Sequence, residues 1–237
     1  MSTYVLVHGA WHGSWCWDKV VPLLEDKGNK VILVNLPCHY DGLSPRKASI
    51  KLYSQAVEKV ILSLNEPVIL VGHSLGGMTI TKVAEDIPDK IKRLIYVAAY
   101  IPYNTSVYKL NLLEGKAVLK HNYQYHPFKG YFTVCSDKIK TMFYQDCSDE
   151  DTRIATSKLC KEPLWPCLTK VKVTKDHYDK VRKAYISTAF DQTIPPHLQD
   201  IMIKNAGIKE VAIMKTGHSP FICKPKELTD LLLADKW

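Results

Sequence analysis

At 237 residues, 46% of them hydrophobic, the chain is long enough for one domain with a sizeable core, and its composition excludes a disordered polymer. A net charge of +8 is spread along the chain with no basic run and no nucleic-acid motif, so it reads as solvated surface and no nucleic-acid partner is expected. No apolar run reaches the length of a membrane span, the first residues predict no signal peptide, and seven scattered cysteines without a C-x-x-C pair argue against a disulfide framework or zinc site and for a reducing cytoplasm.

Residues 4–7 predict the first strand. It runs into His8-Gly9-Ala10-Trp11-His12-Gly13-Ser14-Trp15-Cys16-Trp17, a glycine- and aromatic-rich loop at a strand's carboxyl end, where ligands bind in open α/β sheets. Trp15 and Trp17 read as packing residues. Residues 17–28 predict a helix, begun or kinked at Pro22 and stopped by Gly28, and residues 30–36 a second strand. Leu52, Ala56, Val57, Val60, Ile61 and Leu64 recur at helical spacing and predict a helix over 49–64. An apolar strand over 68–71 then meets Gly72-His73-Ser74-Leu75-Gly76, and residues 78–86 read as helix. Residues 92–99 predict a fourth strand. This alternation implies β-α-β units, a mostly parallel sheet of about six strands in all, helices on both faces and right-handed crossovers.

From Tyr100 the rhythm breaks. Some eighty residues are too many for a structureless loop in a compact domain, so residues 100–180 read as an inserted, mainly helical cap with short helices near 137–144, 149–159 and 164–171. Such a cap supplies apolar walls over Ser74. Cys147, Cys160 and Cys167 within it read as separate thiols. Alternation returns with a strand over 184–188, a helix over 197–205, a strand over 210–214 and a helix over 225–235. The core thus comprises residues 1–99 and 181–237.

Strand, sharp turn and helix with a serine at the apex is the context that a G-x-S-x-G motif requires. Ser74 is the candidate nucleophile. The N–H of Leu75, at the helix start, and that of Ala10 are the candidate oxyanion donors. A neutral serine needs an adjacent base, and the base needs an orienting acceptor. Chain order disfavours His8, His12, His39 and His73. His121, His126 and His177 fall in the cap, and His197 opens a helix. His218 follows the last strand at its carboxyl edge and is the predicted base. Asp191, just past the preceding strand, is the predicted acid, ahead of Asp176, Asp179 and Asp200.

These segments, with Asp191-Gln192-Thr193-Ile194-Pro195, Gly217-His218 and Cys223-Lys224-Pro225, resemble one branch of the α/β-hydrolases. That branch holds plant methylesterases, hydroxynitrile lyases of similar sequence and related bacterial esterases. The likeness spans almost the whole chain, loosest in the cap. It implies a compact α/β-hydrolase fold, the triad Ser74, Asp191 and His218, oxyanion donors Ala10 and Leu75, a small-molecule ester as substrate, and no metal or organic cofactor. The lyases carry a threonine after the first-loop histidine and a lysine after the catalytic histidine. Gly9 and Ser219 stand there in this chain, so the resemblance favours the esterases.

Overall fold

The computed structural model describes residues 1–114 and 122–236; His121, one of the cap histidines, lies outside the described residues. The strands are β1 (Thr3–Val7), β2 (Lys30–Val34), β3 (Val68–His73) and β4 (Ile91–Val97), then β5 (Tyr123–His126), β6 (Tyr131–Val134) and β7 (Glu162–Pro163), and finally β8 (Lys183–Thr188) and β9 (Glu210–Met214). Six of them form a parallel sheet in the order β2-β1-β3-β4-β8-β9. Every residue of β1 and β3 is buried, whereas the edge strands β2 and β9 are half-exposed. Central strands covered on both faces have no reason to alternate, which is why they read as continuous apolar runs.

The strand order places the helices. From β1 the chain steps outward to β2, then reverses over β1 to β3 and keeps that direction. Right-handed crossovers therefore put α1 (Val21–Glu25) on one face and both α2 (Ile50–Leu62) and α3 (Gly76–Asp86) on the other. Accordingly α1 packs on the C-terminal helix Pro225–Leu233, and α2 packs on α3. Helix α2 begins where Ser49 Oγ accepts from the Leu52 N–H at 3.1 Å, a serine N-cap. The helix expected over 17–28 is shorter: a 3₁₀ turn at Ser14–Trp17 precedes α1, whose first turn holds Pro22, a residue with no N–H to lose there.

The segment between β4 and β8 carries short helices at Val107–Asn111, Ile139–Phe143, Asp149–Ser157 and Leu164–Leu168. It also holds an element that the sequence reading lacks, a three-stranded antiparallel sheet in the order β5-β6-β7. Gly130, at φ +76°, reverses the chain between β5 and β6. Their Tyr-Gln-Tyr-His and Tyr-Phe-Thr-Val runs are strand-forming residues flanking a turn; the two-residue β7 leaves no comparable trace.

Candidate active site

Ser74 sits directly after β3 in the left-handed region, at φ +50°. A turn this tight needs bare backbone around it. A Cβ on Gly76 would lie 2.5 Å from the His8 carbonyl oxygen, and one on Gly77 2.2 Å from that of Tyr100. A Cβ on Gly9 would lie 2.7 Å from Cβ of Ser74 itself. The glycines therefore let the first loop and the β3–α3 turn touch.

The structure brings Ser74, His218 and Asp191 together. Ser74 Oγ lies 2.9 Å from His218 Nε2, and His218 Nδ1 lies 2.8 Å from Asp191 Oδ2. All three are buried. Thr188 Oγ1 also donates to Asp191 Oδ2 at 2.9 Å, and the N–H groups of Thr193 and Ile194 donate to Oδ1 at 2.8 and 2.9 Å. An ionised carboxylate accepts all four bonds, so Nδ1 of His218 carries a proton and Nε2 is free to accept from Ser74. The rival acid Asp179 is elsewhere, bonded to the Tyr103 hydroxyl.

Ala10 and Leu75 line the same pocket as Ser74. Among the described residues, no acceptor takes either backbone N–H. The pocket is narrow, with a free cavity of about 50 Å³. Its walls include Trp11, Tyr100, Tyr108, Tyr123, Tyr125 and Phe132. The other cap aromatics lie outside it: Phe143 and Tyr144 are core, while Phe128 and Trp165 are exposed. Trp15 and Trp17 do pack, Trp17 fully buried and Trp15 stacked on His12. Among the described residues, the lining contains no lysine, arginine, aspartate or glutamate.

Chain order set aside four histidines as bases, and each has a different task. The Leu36 N–H donates to His8 Nε2 at 3.0 Å, so His8 Nδ1 carries the proton and donates to the Gly9 carbonyl at 2.8 Å. That bond turns the Gly9 carbonyl away and fixes the attached Ala10 N–H. His12 Nδ1–H holds the Ala10 carbonyl at 2.7 Å, and the Tyr144 hydroxyl donates to its Nε2 at 2.8 Å. His73 Nε2–H donates to the His218 carbonyl at 2.9 Å. All three rings are neutral. Burial drives the pKa of His8 and His73 well below the usual value, and burial lowers that of His12 to about 4.

His39 is the charged one. Its Nε2 lies 2.8 Å from Glu162 Oε2, and its Nδ1 faces the carbonyls of Leu36 and Pro37, each at 3.2 Å. With an acceptor at each nitrogen the ring is an imidazolium; burial opposes this, but the Glu162 carboxylate and the Pro37 and Leu36 carbonyls together outweigh it and raise the pKa. Both side chains are buried, 1% and 0% exposed, so the pair is shielded from solvent and salt. The same Glu162 oxygen accepts from the Trp11 N–H at 2.9 Å. Trp11 is itself left-handed at φ +59°, its carbonyl accepts from the Cys160 N–H at 2.8 Å, and its indole donates to the Phe132 carbonyl at 3.2 Å. Every polar group of Trp11 is therefore held by the cap segment. Sequence reasoning missed Glu162: a glutamate in a cap carries no signal of burial until β7 is placed.

Removing one partner of a buried ion pair typically costs about 3–5 kcal/mol. At pH 8 we expect His39→Gln to be the more damaging single change. A stranded imidazolium sheds its proton readily, whereas a stranded carboxylate cannot easily take one up. In urea unfolding, the His39→Gln/Glu162→Gln double variant should lose less than the sum of the singles; additive losses would mean that the pair is not coupled.

The neutral histidines set an acid limit. Below about pH 6.5 the unfolded chain binds protons that folded His8, His12 and His73 refuse, so stability falls as pH drops. For His12 alone, a pKa near 4 corresponds to ~3 kcal/mol across that interval. His39 has the opposite sign: its contribution is full below the unfolded pKa and is lost as pH rises through the raised folded value. Stability should peak between these limits, and Glu162→Gln should flatten the alkaline arm. Melting temperatures across pH 4–9 check both signs.

A parallel six-stranded sheet with a serine elbow after β3, an acid after β8 and a histidine after β9 is the α/β-hydrolase arrangement. The family model described as "Alpha/beta hydrolase family" matches residues 4–231. Salicylic acid-binding protein 2 of Nicotiana tabacum is 32% identical over 249 residues, covering 97% of this chain and 95% of that protein. Methylesterase 1 of Arabidopsis thaliana is 32% identical over 256 residues, covering 99% and 96%. The crystal structure of polyneuridine aldehyde esterase superposes with a TM-score of 0.89 at 27% identity, covering 98% of each chain. Some curated relatives are longer: the chain spans 63% of one chloroplastic Arabidopsis thaliana protein that it matches at 31% identity. The chain belongs to the α/β-hydrolase family, in its methylesterase branch. Among the described residues no helix is long and apolar enough to cross a membrane.

Proposed function

We propose that the enzyme, an ester hydrolase of the α/β-hydrolase type, hydrolyses small to medium carboxylic esters, methyl or aryl, through Ser74, His218 and Asp191. The observation that carries this reading is the continuous Ser74–His218–Asp191 hydrogen-bond chain, at 2.9 and 2.8 Å, opening into an apolar pocket. Ser74 Oγ attacks the ester carbonyl while His218 Nε2 takes its proton. The N–H groups of Ala10 and Leu75 receive the oxyanion. His218 then protonates the departing alcohol and activates water against the acyl-enzyme. None of these steps uses a metal or organic cofactor. The partner is a small-molecule ester, not nucleic acid or membrane. Seven unpaired cysteines among the described residues support work in a reducing compartment such as the cytoplasm.

Cyanohydrin cleavage is the competing use of the same groups. Cyanide leaves as a full charge, and in an apolar pocket it needs a cation. Ser219 is fully buried and uncharged, and among the described residues the pocket lining supplies no lysine or arginine. Position 9 cannot hold the threonine of the lyases unless the loop moves away from Ser74. The test is a panel of methyl and aryl esters beside mandelonitrile, at equal enzyme, with Ser74→Ala as control and spontaneous decay subtracted. The expected result is Ser74-dependent ester turnover with negligible cyanide release. Faster cyanide release than ester hydrolysis would establish the lyase, and ligand binding without turnover of any ester would establish a binding protein.

A further inference from the structure

Asp146, Cys147 and Cys223 meet on the surface beside the His218 loop, with one ligand atom from each lying within 4.8 Å of the others. Spacing in the sequence does not bring them together, because Asp146 and Cys147 precede the helix Asp149–Ser157 of the cap segment and Cys223 ends the helix Pro220–Cys223 of the core. The geometry points to a binding site for one soft divalent cation, of the zinc or cadmium class, whose occupation slows turnover.

Donor chemistry comes first. Two thiols and a carboxylate suit zinc-like ions and not magnesium or calcium, which take oxygen ligands. Bonds of about 2.0–2.3 Å place tetrahedral ligand atoms roughly 3.3–3.8 Å apart. Cys223 Sγ and Asp146 Oδ2 are already 3.4 Å apart, and Cys147 Sγ lies within 4.8 Å of its two partners' ligand atoms. The cluster also lacks a positive charge: among the described residues no lysine, arginine or histidine pairs with Asp146. The neighbouring Cys147 thiol, burial and the Asp146 carboxylate all hold the Cys223 thiol protonated. A divalent ion reverses that balance: two thiols release their protons to solvent and two S–metal bonds form. Asp146 is exposed and both cysteines are half-buried, so an ion can enter, with water completing its shell.

The site touches the catalytic loop. Asp146 Oδ2 accepts from the Gly217 N–H at 2.7 Å, one residue before His218, and a Cβ on Gly217 would lie 3.0 Å from Asp146 Oδ1. Gln145 next to it donates to the Phe190 carbonyl at 2.6 Å, one residue before Asp191. Drawing Asp146 toward a metal therefore pulls on the backbone that carries both His218 and Asp191.

The experiment titrates reduced, metal-free protein with zinc by calorimetry and with cobalt by absorption, and follows aryl-ester turnover in parallel. The expected result is one equivalent bound, a thiolate-to-cobalt charge-transfer band, and at least tenfold weaker binding in Cys147→Ser and in Cys223→Ser. Turnover of the wild type should fall as zinc binds and recover with a chelator, while both serine variants keep their activity at the same zinc concentration. No binding by the reduced protein, equal binding by the serine variants, or a cobalt spectrum without the thiolate band would overturn the site. Binding with unchanged ester turnover would overturn the coupling to His218. Because the calorimetry does not require ester turnover, failure of the metal site and failure of the esterase reading are separately visible.

Discussion

Ser74→Ala is expected to lower kcat for ester hydrolysis by about 10⁴- to 10⁶-fold, the range seen when a triad member is removed, while the protein stays folded. Three features give the effect its size. The hydroxyl is the only group that forms the acyl bond in the proposed reaction. His218 Nε2, 2.9 Å away, is left with no serine to deprotonate. Water that replaces the hydroxyl is not held by a strained turn at φ +50°. The fold should survive because Ser74 anchors the turn through its backbone: its N–H donates to the Val97 carbonyl at 3.2 Å and its carbonyl accepts from Gly77 and Tyr100 N–H, both at 3.0 Å. A fluorophosphonate probe should label wild type at Ser74 and leave the alanine variant blank. Labelling that persists in the variant would assign the nucleophile elsewhere.

Asp191→Asn is expected to cut kcat by about 10⁴-fold with little change in melting temperature. The reason lies in the four bonds to the carboxylate. Thr193 and Ile194 N–H groups require an acceptor at Oδ1, so the amide NH₂ of asparagine must take the place of Oδ2, facing His218 Nδ1. A donor now meets a donor. His218 relieves the conflict by moving its proton to Nε2, and in that tautomer it presents N–H to Ser74 and cannot accept the serine proton. Because the change works through the tautomer, rate is lost and substrate binding is largely kept. Crystal structures or melting curves check the fold, and single-turnover kinetics check the step. If Asp179→Asn or Asp176→Asn proved the damaging substitution instead, the acid would be misassigned.

Strands β1, β2, β3, β4, β8 and β9 were legible because each is a short apolar run bounded by glycine, proline or polar turn residues. Ser74, Asp191 and His218 were legible as candidates because each follows such a strand at its carboxyl end. What the sequence withheld depends on contacts distant along the chain. β7 pairs through only two residues, and its register with β6 cannot be read from composition. Glu162 looked like any surface glutamate, yet it is wholly buried against His39 and the Trp11 N–H. Pocket aromatics could not be separated from packing aromatics, since Tyr123 and Tyr144 differ in what surrounds them and not in kind. The approach of Cys223 to Cys147 follows from tertiary packing alone.

Trp11 bears on how freely such enzymes can trade parts. Its neighbour Ala10 belongs to the loop that meets the reacting carbonyl in the proposed mechanism, yet the posture of Trp11 is dictated by Glu162, Cys160 and Phe132, all contributed by the segment between β4 and β8. The segment between β4 and β8 and the first loop are thus not independent modules. A chimera that imported another relative's cap for its pocket walls, without a carboxylate at position 162 to match His39, would inherit a slack first loop. Such a hybrid would bind its new ester and turn it over slowly. In this fold, substrate range and catalytic rate have to be redesigned together.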